Sequence, residues 1–337
     1  MKKVSIVKCN SYDEKEVFEA VKNSVRLIGG LNIKDNSNVL IKPNLLAAKK
    51  PEQHITTHPA VIRAIVKLLK EKNCKIYIGD SPGLSDSLTA ARVCGMLDIC
   101  EQEKVEFIDF KDKKTYFNEK AKSMKRFELC DILDKVDYIV NVPKLKTHVM
   151  MGVTMAIKNT FGFIVGLNKS QMHLKLVDKD KFANMLVDLN EFVNPHLNII
   201  DGIVGMEGNG PSNGNLKKVG VIGASYDSLA LDITMCKLIG HDPLKIFTNK
   251  VALERRGKDY LNSIEVVGEK EVRVNFKPSD EQPVTFIQSR RIAKIINRFT
   301  SAQPVIDVDK CKACGQCIKI CPAKTISYKD KKAWINR

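Results

Sequence analysis

Four cysteines stand within eleven residues near the end of the chain: Cys311, Cys314, Cys317 and Cys321, with Pro322 directly after the last. The spacing is C-x₂-C-x₂-C-x₃-C-P, which suits a [4Fe–4S] cluster. Iron takes thiolates, and the two-residue gaps let three of them converge from one loop. Gly315 relieves backbone crowding there, and Pro322 turns the chain away. A zinc site shows two CxxC pairs separated by a longer loop. A thioredoxin-like site needs one pair alone. The other six cysteines (Cys9, Cys74, Cys94, Cys100, Cys130 and Cys236) are scattered singly. They read as small buried hydrophobes of a reducing compartment.

The run is of the bacterial ferredoxin type, and in two-cluster ferredoxins its fourth cysteine serves the other cluster. Only one such run is present in the 337 residues. Three readings stay open. The chain continues past Arg337 into a second motif; or all four thiolates serve one cluster; or Cys321 is idle and another cysteine or a partner chain completes the site. The first is the expectation, because the ending KKAWINR resembles the lead-in strand to a second motif.

A second set of reactive residues lies upstream. Lys42, Asn44, Asp80, Lys144, Lys146, His148 and Lys158 all follow or border apolar runs that read as strands. Lysines at strand ends bind carboxylate or phosphate groups. The bland alternative is solvated lysine, which a chain of net charge +16 carries in number. His58, His148 and His173 are three of six histidines. With Asp80, Asp201 or Glu207 they offer a metal site or a proton shuttle. No pair has HExxH spacing, His58 also fits the first turn of a helix, and Asp80 also fits a turn cap.

These groups need a scaffold, and the sequence supplies one. Strands are expected at 3–8, 38–46, 75–79, 105–110, 137–142, 197–204 and 218–224. Helices are expected at 13–27, 58–72, 85–102, 181–194, 228–239 and 243–256, and a hairpin at 264–276. Strand–helix alternation predicts an α/β fold, a mostly parallel sheet with helices on both faces. Such sheets bind ligands outside the carboxyl ends of their strands. That rule selects Lys42–Asn44, Asp80–Gly83 and Pro143–His148. The domain division expected is 1–277 for the α/β unit, 278–303 for a basic linker with a helix near 289–298, and 304–337 for a small ferredoxin-like α+β cluster module.

Glycine-rich residues 205–214, GMEGNGPSNG, read as a loop or lid able to present N–H groups to an anion. They match neither the P-loop nor the dinucleotide fingerprint. Met150, Met151 and Met155 read as core or pocket lining. No apolar run reaches membrane-spanning length, and no secretory signal is visible, so the expectation is a cytoplasmic protein. Basic stretches at 111–126 and 289–298 lack the aromatic interleaving of a nucleic-acid surface, so neither membrane nor nucleic acid is an expected partner.

Several segments together resemble a known family. They are IKPNLL (41–46), TTHPAVIRAIVKLLKE (56–71), IGDSPG (78–83), VPKLKTH (142–148), IKNTFG (157–162), Lys169 with His173, DGIVGMEGNGP (201–211) and Asp227 with Asp232. The family is designated domain of unknown function 362, and the resemblance covers roughly residues 3–270. Its members often carry C-terminal ferredoxin-type modules, usually with two motifs, so the single motif here is a departure. The resemblance implies the architecture and leaves the reaction open.

The expected function is an iron–sulfur oxidoreductase. A [4Fe–4S] cluster on Cys311, Cys314, Cys317 and Cys321 feeds electrons to a substrate or second cofactor in the α/β domain. Lys144, Lys146 and His148 are the expected catalytic residues. Lys42, Asn44, Asp80, Lys158 and His173 are the expected binding residues. The partner is a redox protein or an anionic small molecule. The alternatives are a non-enzymatic electron carrier or adaptor, and a redox-sensing, iron-sensing or metal-maturation protein.

Overall fold

The computed structural model describes residues 1–83, 85–165, 169, 172, 176, 178–280, 305–320, 325–330 and 332–335. The chain opens with β1 (Lys2–Lys8), α1 (Glu14–Leu27), β2 (Asn38–Lys42), α2 (Pro59–Lys70) and β3 (Lys75–Asp80). Then come α3 (Ser87–Val93), α4 (Met96–Gln102), β4 (Glu106–Asp109), β5 (Lys113–Phe117), β6 (Arg126–Cys130), β7 (Tyr138–Asn141), β8 (Lys144–His148) and β9 (Gly152–Thr154). The large unit closes with α5 (Ala156–Asn159), α6 (Lys179–Val193), β10 (Leu197–Glu207), β11 (Asn215–Ser225), α7 (Ser228–Leu238), α8 (Phe247–Arg256) and β12 (Ile264–Gly268). A short α9 (Gln316–Ile320) and the hairpin β13 (Ile326–Lys329) and β14 (Lys332–Ile335) belong to the cysteine module.

Local chemistry sets the helix starts. Asp13 caps α1 by accepting from the N–H groups of Lys15 and Glu16, both at 3.0 Å. His58 caps α2 through Nδ1, and Pro59 occupies the first turn, where its missing N–H costs nothing. The strand runs are apolar because most are covered on both sides. Along β2, Val39 and Ile41 join a core with Val17, Val21, Ile62, Ile65 and Leu69 of α1 and α2. Leu40 points the other way, into a core with Phe182, Leu186 and Ile233 of α6 and α7. The result is the expected α/β sandwich with helices on both faces.

The sheet order is β12-β1-β11-β10-β7-β2-β3-β4, with β8 attached to β10 and β9 to β8. The β10-β7-β2-β3-β4 run is parallel. β11 runs antiparallel to both β1 and β10, and β12 is parallel to β1.

Four expectations change. The helix expected over 85–102 is two helices, because Gly95 sits in the left-handed region at φ 78° and breaks the run. The hairpin expected at 264–276 contributes β12 alone, which pairs in parallel with β1 instead of folding back. The glycine-rich 205–214 segment is largely the turn of a long hairpin, because β10 and β11 extend to Glu207 and from Asn215. Residues 144–148 are themselves a strand, docked on β10 at Asp201 and Met206 across a register shift.

The basic stretch at 111–126 includes β5. Lys111, Lys113 and Lys114 there pair with Asp109, Glu128 and Asp134. That is a solvated, ion-paired face. The basic helix expected at 289–298 lies outside the described residues.

Candidate functional site

Pro143 ends the link from β7 and starts β8, whose five residues are all buried. Lys144 and Lys146 are two apart, so both point to one side of the strand. They meet different surroundings. Lys144 Nζ lies 2.9 Å from Asp201 Oδ2 and 2.7 Å from the Tyr12 hydroxyl. Asp201 also accepts from Tyr12 Oη at 2.9 Å and from the His58 N–H at 3.0 Å. Burial pushes the Asp201 carboxyl up. The Lys144 ammonium and these donors more than reverse that and hold it below the usual carboxylate range.

Lys146 has no such carboxylate among the described residues. Its Nζ donates to Asn44 Oδ1 at 2.8 Å and to the Ile55 carbonyl at 2.7 Å. Burial, with Lys158 and Lys144 nearby, pushes its pKa well below the ordinary lysine value.

β2 and β3 supply the adjoining wall. Lys42, fully buried, pairs with Asp80 Oδ1 at 2.8 Å. Asp80 Oδ2 accepts from the Leu45 N–H at 2.8 Å, and Oδ1 from the Ser81 N–H at 2.9 Å. One carboxylate thus fixes the loops after both strands. Gly162 packs on this pair: a Cβ there would stand 2.0 Å from Asp80 Oδ1 and 2.5 Å from Lys42 Nζ.

A chain of buried amides fixes Asn44. Asn198 Oδ1 accepts from Asn141, Asn141 Oδ1 accepts from Asn159 at 2.8 Å, and Asn159 Oδ1 accepts from Asn44 at 3.0 Å. Asn159 closes α5, whose first N–H groups, of Ala156 and Ile157, donate to Asp232 at 2.7 and 3.1 Å. Burial raises the Asp232 carboxyl to about 7. Asp227 caps α7 through the N–H groups of Leu229 and Ala230. The aspartate pair thus anchors the frame of the site.

These walls line an open cavity of about 540 Å³. It is bordered by Asn44, Asp80, Lys146, His148, Lys158 and Lys169 among others, and by Pro211 and Ser212 of the β10–β11 turn. That volume suits a small metabolite. Lys158 makes no hydrogen bond or ion pair among the described residues; its Nζ lies over the Phe161 ring, 5.7 Å from the centroid. Lys169 donates to the Ser81 carbonyl. Burial lowers Lys158 to about 8 and Lys169 to about 7. His148 Nδ1 accepts from the N–H groups of Met150 and Met151 at 3.1 and 3.3 Å, so the neutral ring carries its proton on Nε2.

The structure therefore brings Asn44, Asp80, Lys146, His148 and Lys158 to one cavity. Lys42 sits behind it, held by Asp80. Lys144 sits in the neighbouring cluster, where Tyr12 stacks on His58 at 3.8 Å and His54 at 5.3 Å. Burial lowers His58 to about 4, so its ring is neutral at pH 7. His173 lies outside the described residues. Among the described residues no group of three His, Cys, Asp or Glu side chains is placed to hold a metal ion. Glu207 is used instead by the Lys277 N–H, at 3.0 Å. Asn159 and Tyr12 escaped the sequence reading. Asn159 had a signal, inside IKNTFG beside Lys158; Tyr12 had none.

In the cysteine module, Cys311, Cys314 and Cys317 form no disulfide, and Cys321 lies outside the described residues. The Ala333 N–H donates to Cys311 Sγ at 3.4 Å, and this bond first, then Ala313, draws the Cys311 thiol below its ordinary value. Gly315 has φ 74°, and a Cβ there would stand 2.7 Å from Tyr328 Oη. Tyr328 Oη in turn donates to the Ala313 carbonyl at 2.7 Å. Unbridged cysteines, an N–H donor to sulfur and a side-chain-free turn fit a cluster loop. A four-iron cube spaces its thiolates more widely than one ion does, so the absence of a single-ion site among the described residues does not conflict with it.

Residues 39–237 match the family described as domain of unknown function (DUF362). The chain belongs to the DUF362 family. Residues 304–327 of this DUF362 protein match the 4Fe-4S binding domain, which makes it an iron–sulfur protein with a [4Fe–4S] cofactor. It is 32% identical over 260 residues to "Thylakoid-associated protein sll1697" of Synechocystis, covering 76% of this chain and 80% of that one. Among solved structures it is similar to the lactate racemase apoprotein of Thermoanaerobacterium thermosaccharolyticum (TM-score 0.46, 14% identity, 71% of this chain), of which it spans 56%. A Thermotoga maritima structural-genomics protein gives a TM-score of 0.39 at 11% identity over 66% of this chain and 57% of that one. No described helix is long and apolar enough to cross a membrane.

Proposed function

We propose that this DUF362 protein is an oxidoreductase of the cytoplasm that reduces or oxidises an anionic small molecule held in the lysine-lined cavity. The observation that carries the reading is the cavity itself, with Lys146, Lys158 and Lys169 on its wall and no carboxylate paired to any of them among the described residues. Lys146 and Lys169 are buried and Lys158 is half-buried, and buried ammonium groups without counter-charge are costly. An anionic ligand supplies what the fold withholds.

When bound on Cys311, Cys314 and Cys317, the cluster supplies electrons one at a time. The rest falls to side chains. Lys146, oriented by Asn44 and the Ile55 carbonyl, and Lys158 bind and orient acidic groups. His148, whose Nδ1 is taken by the Met150 and Met151 N–H groups, borders the same cavity and helps orient the substrate. Asp80 with Lys42, and Asp201 with Lys144, hold the loops and strand that carry these groups. A redox protein docking at the cysteine module is the expected electron source.

The test is anaerobic. The full chain with its cluster is reduced, freed of excess reductant and challenged with fractions of small acidic metabolites. Reoxidation by one fraction, lost in Cys314→Ser, is the expected result. If every fraction leaves the reduced protein unchanged, the enzyme reading fails and a carrier or sensor role replaces it.

A further inference from the structure

We infer that the cavity takes a small organic anion with two acidic groups, one at each end of a short carbon backbone. The inference rests on the anionic-substrate reading and specifies it.

The three amines are held at separate places. Lys146 is tied to Asn44 and Ile55, in the segment after β2. Lys169 is tied to Ser81, after β3. Lys158 borders the same cavity. Lys146 and Lys169 are thus fixed on different segments of one cavity lining, and an anion with an acidic group at each end can serve both.

Donor counting agrees. An ammonium has three N–H donors. Lys146 spends two on carbonyl oxygens and Lys169 spends one; Lys158 spends none among the described residues. Donors remain at each end and in the middle. The carbonyl partners satisfy N–H groups but leave the charges uncompensated. Asp80, the lining carboxylate, is already taken by Lys42 and by the N–H groups of Leu45 and Ser81.

The space between the amines is suited to carbon. Leu46 and Phe161 line the cavity with the polar groups. A volume of about 540 Å³ leaves bare phosphate mostly surrounded by empty space. A four- to six-carbon dicarboxylate, or a phosphorylated short-chain acid, uses both the ends and the wall.

The test is calorimetric titration of the full chain near neutral pH with succinate, glutarate, propionate and inorganic phosphate. The two dicarboxylates represent the class. Propionate removes one acidic end, and phosphate keeps a double charge but removes the length. At least one dicarboxylate is expected to bind tenfold or more tightly than both controls, since each charged hydrogen bond contributes about that factor. Lys146→Met and Lys169→Met are each expected to erase the preference.

The Lys→Gln variants serve where a methionine variant does not fold, and thermal unfolding checks each. Equal binding of propionate or phosphate overturns the inference. So does the lack of any dicarboxylate binding, or a preference that survives both lysine changes. Selective binding without any redox turnover leaves this inference standing and removes the oxidoreductase reading. Turnover of a one-ended acid does the reverse.

Discussion

Lys144 and Lys146 share a strand and a face, yet replacing them should have unequal consequences. Lys144→Met leaves Asp201 buried without its cation. Removing one partner of a buried pair costs about 3–5 kcal/mol. Asp201 keeps the Tyr12 hydroxyl at 2.9 Å and the His58 N–H at 3.0 Å, so the loss belongs at the lower end, about 3 kcal/mol. At about 2–4 °C per kcal/mol this lowers the midpoint of unfolding by about 6–12 °C.

Lys146→Met removes a buried charge with no counter-ion among the described residues, a gain of several kcal/mol in desolvation. Against it stand two carbonyl oxygens, of Asn44 and Ile55, that lose a donor at about 1–3 kcal/mol each. These terms nearly cancel, so the expected change is within about 1 kcal/mol. The assay is urea and thermal unfolding of both variants beside the parent, without ligand. Equal destabilisation would refute the division of the lysines into paired structural groups and unpaired ligand-facing ones.

Other perturbations test neighbouring parts. Gly162→Ala drives a Cβ into the Lys42–Asp80 pair, and a loss of about 3 kcal/mol or more in urea unfolding is expected; parent-like stability means the pair is not fixed there. Dicarboxylate affinity should be greatest below pH 7 and fall as pH rises through 7 to 8. Lys169 (about 7, facing Asp80, Lys42 and Lys158) and Lys158 (about 8, facing Lys146 and Lys169) bind anions only when protonated. Calorimetry across pH 6 to 9 checks this, and a flat profile counts against it. Cys311→Ser and Cys317→Ser should each strip iron and sulfide from anaerobically purified protein, whereas Cys94→Ser, a buried site far along the sequence, should keep both.

The sheet and its helices were largely legible because the strands are apolar on both faces and the helices begin at polar caps such as Asp13 and His58. The cysteine run was legible because its four residues are close in sequence. The strand-end rule also led to Asn44, Asp80, Lys146 and His148. What it could not give was pairing. Lys144 finds Asp201 57 residues away through the β8–β10 contact, and nothing local distinguishes it from Lys146. Tyr12 was hidden for the same reason, being 189 residues from the carboxylate it donates to. Gly95 and the parallel pairing of β12 were missed because helical periodicity and strand character say little about breaks or partners. The meeting of Lys146, Lys158 and Lys169 at one cavity exists only in three dimensions.

The most direct test of the account is electron flow from the cysteine module to the cavity. The full chain and a Lys146→Met, Lys169→Met double variant are each loaded with cluster and reduced anaerobically. Both are then mixed with the acidic metabolite fraction that reoxidises the parent, and the visible absorbance of the cluster is followed. The account predicts rapid reoxidation in the parent and reoxidation at least tenfold slower in the variant, with equal iron content in both. Equal rates would place the electron acceptor somewhere other than the lysine-lined cavity and contradict the central claim.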